Sequence, residues 1–217
     1  MFEIISDELE KAGVRLVAVS KTKSTDQILE LYRKGQRVFG ENKVQELVSK
    51  QEVLPADIQW HLIGHLQTNK VKFIAPFVAM IQSVDSLKLL LEIDKQADKC
   101  QRIIPCLLQF HIAEEETKFG LSLQEAEALL DSETFRGLKH VRIAGVMGMA
   151  TFTDDEEHIA REFHRLRELF SFLKTRFFAE DPGFKEISMG MSSDYAIALQ
   201  EGSTMVRIGT LLFGPRS

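Results

Sequence analysis

Hydrophobic positions along the chain fall into two alternating rhythms. Short apolar, β-branched runs read as buried strands. Stretches with apolar residues three and four apart read as amphipathic helices. The first run, residues 15–19, ends on Ser20 and Lys21 in "RLVAVSKT". A helix over 24–35 follows, with Ser24 at its start, Ile28, Leu29 and Tyr32 on one side, and Gly35 as its stop. The same pairing of strand and helix recurs at 37–41 with 42–54, at 58–64 with 67–76, and at 77–84 with 86–100. It continues at 102–112 with 122–132, at 141–150 with 154–177, and at 186–191 with 192–202. A last apolar run, 205–214, closes the chain. Eight strands, seven of them followed by a helix, predict a parallel α/β sheet covered by helices. Eight units of roughly 27 residues fit one compact (β/α)8 TIM barrel over residues 1–217, slightly below the usual size. An open doubly wound sheet is the competing arrangement, weakened because no GxGxxG follows the first strand.

Composition narrows the class. The 217 residues are 44% hydrophobic and 27% charged, ordinary for a globular chain that can bury a core. The net charge is −5 with basic residues dispersed among acids, which disfavours nucleic acid as a partner. Cys100 and Cys106 are the only cysteines, too few for a disulfide framework and without the paired spacing of a zinc site. The first eleven residues, "MFEIISDELEK", lack the basic start and apolar core of a signal peptide. No run has the length of a membrane span. The expected setting is the cytoplasm.

In a barrel, chemistry gathers where strands end at the C-terminal face. Lys21 stands at the first such end. A desolvated lysine, or one beside another cation, loses its proton and becomes a nucleophile; a lysine whose head stays in water does not. "MGMSSDY" (189–195) offers Gly190 and the hydroxyls of Ser192 and Ser193 at a helix start, suited to an anion. The same residues also read as a plain helix cap. "RIGT" (207–210) places Arg207, Gly209 and Thr210 after the eighth run, where many barrels hold phosphate. Asn42 either caps a helix or reaches into the opening. His61 and His65 are four apart, but Gly64 breaks the helix that a metal-binding pair needs, so no metal site is expected. His65 is better placed as a polar wall. The acidic residues 114–116 read as solvated loop, with a docking surface as the less economical alternative. The apolar stripe in 154–177 reads as core.

The segments "AVSKT", "FGENKVQE", "WHLIGHLQTNK", "SVDSLKL", "EETKFG", "MGMSSDY" and "GSTMVRIGTLLFG" occur in one order over about residues 14 to 214. In that order and spacing the chain resembles the YggS/PROSC family of pyridoxal 5′-phosphate (PLP) homeostasis proteins. Lys43 stands where relatives often have tyrosine, and Ser193 and Ala196 are loose matches. The stretch before "AVSKT" is shorter than in many relatives, so a trimmed first helix is expected. The resemblance implies a fold-type III PLP barrel like the N-terminal domain of alanine racemase, without the C-terminal β domain. It implies Lys21 as the lysine that forms the internal aldimine. It implies Ser192, Gly209 and Thr210 as the phosphate cradle and Arg207 as the arginine facing the pyridine nitrogen. Asn42, His65 and Met147 are implied as ring-lining residues.

The resemblance also implies a function. Arginine is a permanent donor and cannot protonate the ring nitrogen as a carboxylic acid does, so carbanion chemistry is disfavoured. Racemases of this fold add a second base, a tyrosine from another domain. The tyrosines here are Tyr32, mid-helix on the outer ring, and Tyr195. The expected role is therefore a PLP carrier in intracellular PLP homeostasis, storing or delivering the cofactor without robust turnover. A weak amino-acid racemase is the alternative. PLP-dependent apo-enzymes or free amino acids are the expected recipients, and a monomer is the expected state.

Overall fold

The computed structural model describes residues 1–114 and 119–214. Eight parallel strands close into a barrel in sequence order. They are β1 (Arg15–Val19), β2 (Val38–Glu41), β3 (Gln59–Leu62), β4 (Met80–Val84), β5 (Ile104–Gln109), β6 (Val141–Met147), β7 (Glu186–Ser188) and β8 (Met205–Ile208). Closure is made by β1 against β8, with Val17 opposite Arg207. β1 pairs on its other edge with β2, Val19 opposite Gly40.

Helices α1 (Phe2–Lys11), α2 (Thr25–Arg33), α3 (Val44–Gln51), α4 (Val71–Ile74), α5 (Leu87–Lys99), α6 (Leu123–Asp131), α7 (Glu133–Arg136), α8 (Glu156–Phe177), α9 (Tyr195–Gln200) and α10 (Thr210–Phe213) accompany them. The start signals are physical. Ser24 and Ser122 each form a reciprocal capping box, with Gln27 and Glu125. α1 buries Phe2, Ile5 and Leu9, spaced three and four apart as one helical face requires.

Two cores result. The larger lies between strands and helices and includes Phe39, Trp60, Phe163 and Phe184. The smaller, Val17, Met80, Leu107, Ala144, Met147 and Met205, fills the barrel interior. Because strand residues alternate in direction, Met205 and Arg207 point inward together, one above the other.

The predicted elements are present, with corrections at their ends. The strand expected over 205–214 stops at Ile208, and α10 follows. The helix expected over 67–76 is a 3₁₀ turn (Thr68–Lys70) followed by α4. The helix expected from 192 begins at Tyr195. α7, four residues capped by Ser132, was not expected. Part of the acidic run and of "EETKFG" lies outside the described residues. Among those described, no helix is long and apolar enough to cross a membrane.

Candidate functional site

β1 delivers Lys21 to the C-terminal mouth. Ser20 is fully buried and its N–H donates to Gly40 O, the last rung against β2. Lys23 N–H then donates back to Ser20 O, and Thr22 between them adopts φ +64°. That left-handed conformation is uncommon for threonine and marks a tight, constrained turn. Lys21 thus lies between an anchored strand end and a strained residue. It borders a cavity of about 520 Å³, with Val19, Ile63, Met149, Phe152 and Met191 supplying apolar wall. The volume is within the range of small-molecule sites.

Arg207 borders the same cavity from β8. Its guanidinium is buried, and burial lowers its pKa to about 10 while Asp194 opposes the shift, so it is a cation at neutral pH. Its guanidinium donates to two uncharged groups: Nη1 to Ser188 Oγ at 2.6 Å and Nη2 to Gly148 O at 2.9 Å. A directional chain continues beneath. Ser188 Oγ donates to Gln82 Oε1 at 2.7 Å, and Gln82 Nε2 lies 2.9 Å from His61 Nδ1. Burial drives the His61 pKa down to about 3, so the ring is neutral and Nδ1 is the acceptor.

Next to β1 on its β8 side, Ser192, Ser193, Gly209 and Thr210 line the cavity. Gly209 N–H donates to Ser192 Oγ at 3.2 Å, joining the loops after β7 and β8. The cap of α9 is Asp194, not Ser192 or Ser193, and its carboxylate turns back to accept from Met191 N–H. The serine hydroxyls are therefore not spent on the helix end. Gly190, at φ +95°, lets α9 press close: a Cβ there would meet Ala198 Cβ at 2.6 Å. Its role is packing of the chain on itself. Asn42 also lines the cavity; the N-cap position of α3 is Lys43, whose side chain makes no capping bond. Gly64 lies against Asn42, where a Cβ would meet Asn42 O at 2.4 Å. Asn42 Oδ1 is buried with no hydrogen-bond partner.

The cavity lining therefore includes Lys21, Asn42, Ser192, Arg207, Gly209 and Thr210, and it does not include His65 or Met147. His65 is exposed, stacked on Phe119 at 4.4 Å, with Nδ1 3.3 Å from Asp85 Oδ2. Met147 is fully buried in the interior core below the mouth. Met149, two residues further on the same face, reaches the cavity instead. His61 and His65 do not converge, and among the described residues no cluster of His, Cys, Asp or Glu could hold a metal ion. Tyr32 donates to Asp57 on the outer ring and Tyr195 to Glu8 of α1; neither lines the cavity.

One contributor carried no signal in the sequence. Glu162 lies inside the stripe expected to be core. Its carboxylate accepts from Glu114 N–H at 3.0 Å, from Thr151 N–H at 2.6 Å and Oγ1 at 2.8 Å, and it lies 3.0 Å from His158 Nε2. It thereby ties the loops after β5 and β6 to α8.

Comparison with known proteins places this geometry in a family context. The model of the alanine racemase N-terminal domain matches residues 2–217. The pyridoxal phosphate homeostasis protein of Aquifex aeolicus is 38% identical over 222 aligned residues, covering 100% of this chain and 95% of that one. Its namesake in Escherichia coli is 36% identical, covering 94% and 86%. The structure of PipY from Synechococcus elongatus with PLP bound superposes with a TM-score of 0.83 at 36% identity, covering 93% of each chain. Alanine racemase from Bartonella henselae shares the fold at a TM-score of 0.68 and 16% identity, with 97% of this chain matching 57% of that one.

Proposed function

The chain belongs to the family of pyridoxal phosphate homeostasis proteins, built on the alanine racemase N-terminal domain, and from that membership we propose that it binds PLP reversibly at Lys21 and acts as a carrier of it. The observation that carries the reading is the single cavity edge shared by a primary amine, a buried arginine and a hydroxyl-rich double loop. The residues fit the group. Asn42 Oδ1 is a buried acceptor left without a partner, as expected where a polar guest completes the site.

PLP, when bound, supplies an aldehyde that condenses reversibly with primary amines. Lys21 would provide the amine. Ser192, Gly209 and Thr210 would hold the phosphate with hydroxyls and backbone N–H groups, and Asn42 would border the ring. Arg207 would face the ring nitrogen. As a fixed donor it has no proton acceptor to share there, and its hydrogen bonds to Ser188 and Gly148 hold its plane in place. The nitrogen would stay unprotonated, which favours holding an amine over driving carbanion chemistry.

Low turnover is part of the proposal. It is supported by the engagement of Tyr32 with Asp57 and of Tyr195 with Glu8, which leaves the site without a tyrosine base opposite Lys21. Recipients of the cofactor would be PLP-dependent apo-enzymes or free amino acids, which exchange by amine-for-amine substitution. The chain would work as a monomer in the cytoplasm, without nucleic acid or membrane; unpaired Cys100 and Cys106 suit a reducing compartment.

The test is chemical. Protein loaded with PLP should absorb in the visible, and borohydride should fix the cofactor to the peptide carrying Lys21. Lys21→Ala should keep its fold by circular dichroism and lose the visible band. A reduced adduct on another lysine, or an unchanged spectrum in the variant, would overturn the assignment.

A further inference from the structure

The turn that presents Lys21 rests on a buried charged cluster contributed by β2 and α3. Glu41 is fully buried at the end of β2, and Lys50 is nearly so on α3. Lys50 Nζ carries three protons and has three acceptors: Glu41 Oε1, Glu46 Oε1 and the carbonyl oxygen of Ser20, each at 2.7 Å. Ser20 Oγ donates to the same Glu41 Oε1 at 2.6 Å. Glu46 Oε1, in turn, accepts from Thr22 N–H at 2.5 Å.

These partners are placed with a clear consequence. The Ser20 carbonyl belongs to the peptide group before Lys21, and the Thr22 N–H to the peptide group after it. Both peptide planes flanking the Lys21 Cα are held by one cluster. The direction of its Cα–Cβ bond is thereby set, and Thr22 is kept at φ +64°.

Stability alone does not account for such an arrangement. Buried ion pairs are often no more stabilising than apolar side chains of similar volume, because desolvation offsets the attraction. Here the cluster also leaves Glu41 Oε2 buried without a partner. Burial raises the Glu41 pKa, against the opposing pull of Lys50 and Ser20.

We infer that Glu41, Lys50 and Glu46 are positioning residues that clamp the two peptide groups around Lys21 and so aim its amine into the cavity. The inference rests on the reading of Lys21 as the residue that takes up PLP. The cluster does not touch the cofactor; it acts through the backbone of the turn. A fixed attack direction matters because misplacement of a reacting group by about 1 Å can cost on the order of a hundredfold in rate.

Two quantities test it in the full chain: the rate at which the visible band grows on mixing with PLP, and hydrogen exchange at the Thr22 amide. Glu46→Ala and Lys50→Met should slow band growth at least about tenfold and speed exchange at Thr22. Lys50→Arg should restore part of both, since it keeps the charge and the donors. Thr22→Gly relieves the backbone conformation while loosening the turn; it should slow band growth with little change in thermal midpoint. Leu129→Ala, in the core on α6, lowers stability away from the site and should leave the rate unchanged. If Lys50→Met does not fold, Glu46→Ala and Thr22→Gly carry the test.

Wild-type rates and unchanged Thr22 exchange in the folded variants would overturn the clamp. So would slowing that merely follows loss of thermal stability, as Leu129→Ala would reveal. Absence of a borohydride-fixed adduct on Lys21 in the unsubstituted protein would instead overturn the PLP reading. The exchange rates would then decide the clamp by themselves.

Discussion

His61 sits where sequence patterning gives least guidance, and its fate shows what single positions can and cannot reveal. Two histidines flank Gly64, and the exposed one, His65, drew the functional expectation. Parity along β3 explains the outcome. His61 and Ile63 project inward on alternate positions, one into the buried chain below Arg207 and the other to the cavity. Met147 repeats the lesson: it is the residue the sequence points to, yet Met149, not singled out there, reaches the cavity, because depth depends on where the hydrogen-bonded ladder stops. The buried His61 also makes an acid-stability prediction. Its folded pKa of about 3 is below the ordinary histidine value of 6.5, so the unfolded chain binds the proton first. Stability from this group is full above about pH 6.5 and falls as pH drops toward 3, at about 1.4 kcal/mol per unit in that window. His61→Asn keeps an acceptor for Gln82 and has no such titration. Urea unfolding from pH 7 to pH 4 should show a flatter acid limb in the variant than in the wild type.

At the level of elements, two helix starts were written in local chemistry, and strand ends were not. Ser24 with Gln27 and Ser122 with Glu125 announce α2 and α6. By contrast, apolar residues run on past β3, β6 and β7 because Ile63, Met149 and Met191 line the cavity rather than extend a strand. A buried mouth loop and a buried strand have the same composition. The anchoring of those loops was equally hidden, since Glu162 reads as one more residue of a long amphipathic helix. Burial by itself would raise its pKa, but hydrogen bonds from Thr151, His158 and Glu114 outweigh that and hold the carboxyl below the usual range. Its stabilisation is therefore present above the ordinary glutamate pKa and is lost as pH falls through the lowered value. Glu162→Ala leaves the Thr151 and Glu114 N–H groups without their acceptor. It should cost about 1–3 kcal/mol in thermal or denaturant unfolding. The loop carrying Met149 and Phe152 should loosen with it, so PLP should leave several-fold faster, followed by decay of the visible band in excess scavenging amine. Retention equal to wild type would show that these loops do not depend on α8.

For the molecule as a whole, the barrel could be read from eight repeated units, because each strand and helix pair announces itself independently. The closed order β1 to β8 then forces residues distant in sequence onto one rim: Lys21, Asn42, Ser192 and Arg207 meet only because β8 returns to pair with β1. The same closure fixes what can stand on each side of the proposed PLP site. One wall of the cavity carries Lys21 and its clamp, and Arg207 lies at the floor among neutral partners. Neither tyrosine is within the lining. A racemase must remove a proton from one face of its substrate and return one to the other. With one amine on one wall, exchange at the substrate Cα should be slow and should not sustain turnover. Incubation of PLP-loaded protein with L- and D-alanine in deuterated water, followed by proton NMR, measures this directly. The expected result is loss of the Cα signal no faster than with free PLP at matched concentration, while PLP still passes to a PLP-dependent apo-enzyme and restores its activity. Sustained Cα exchange that disappears in Lys21→Ala would make the protein a catalyst and set aside the carrier role.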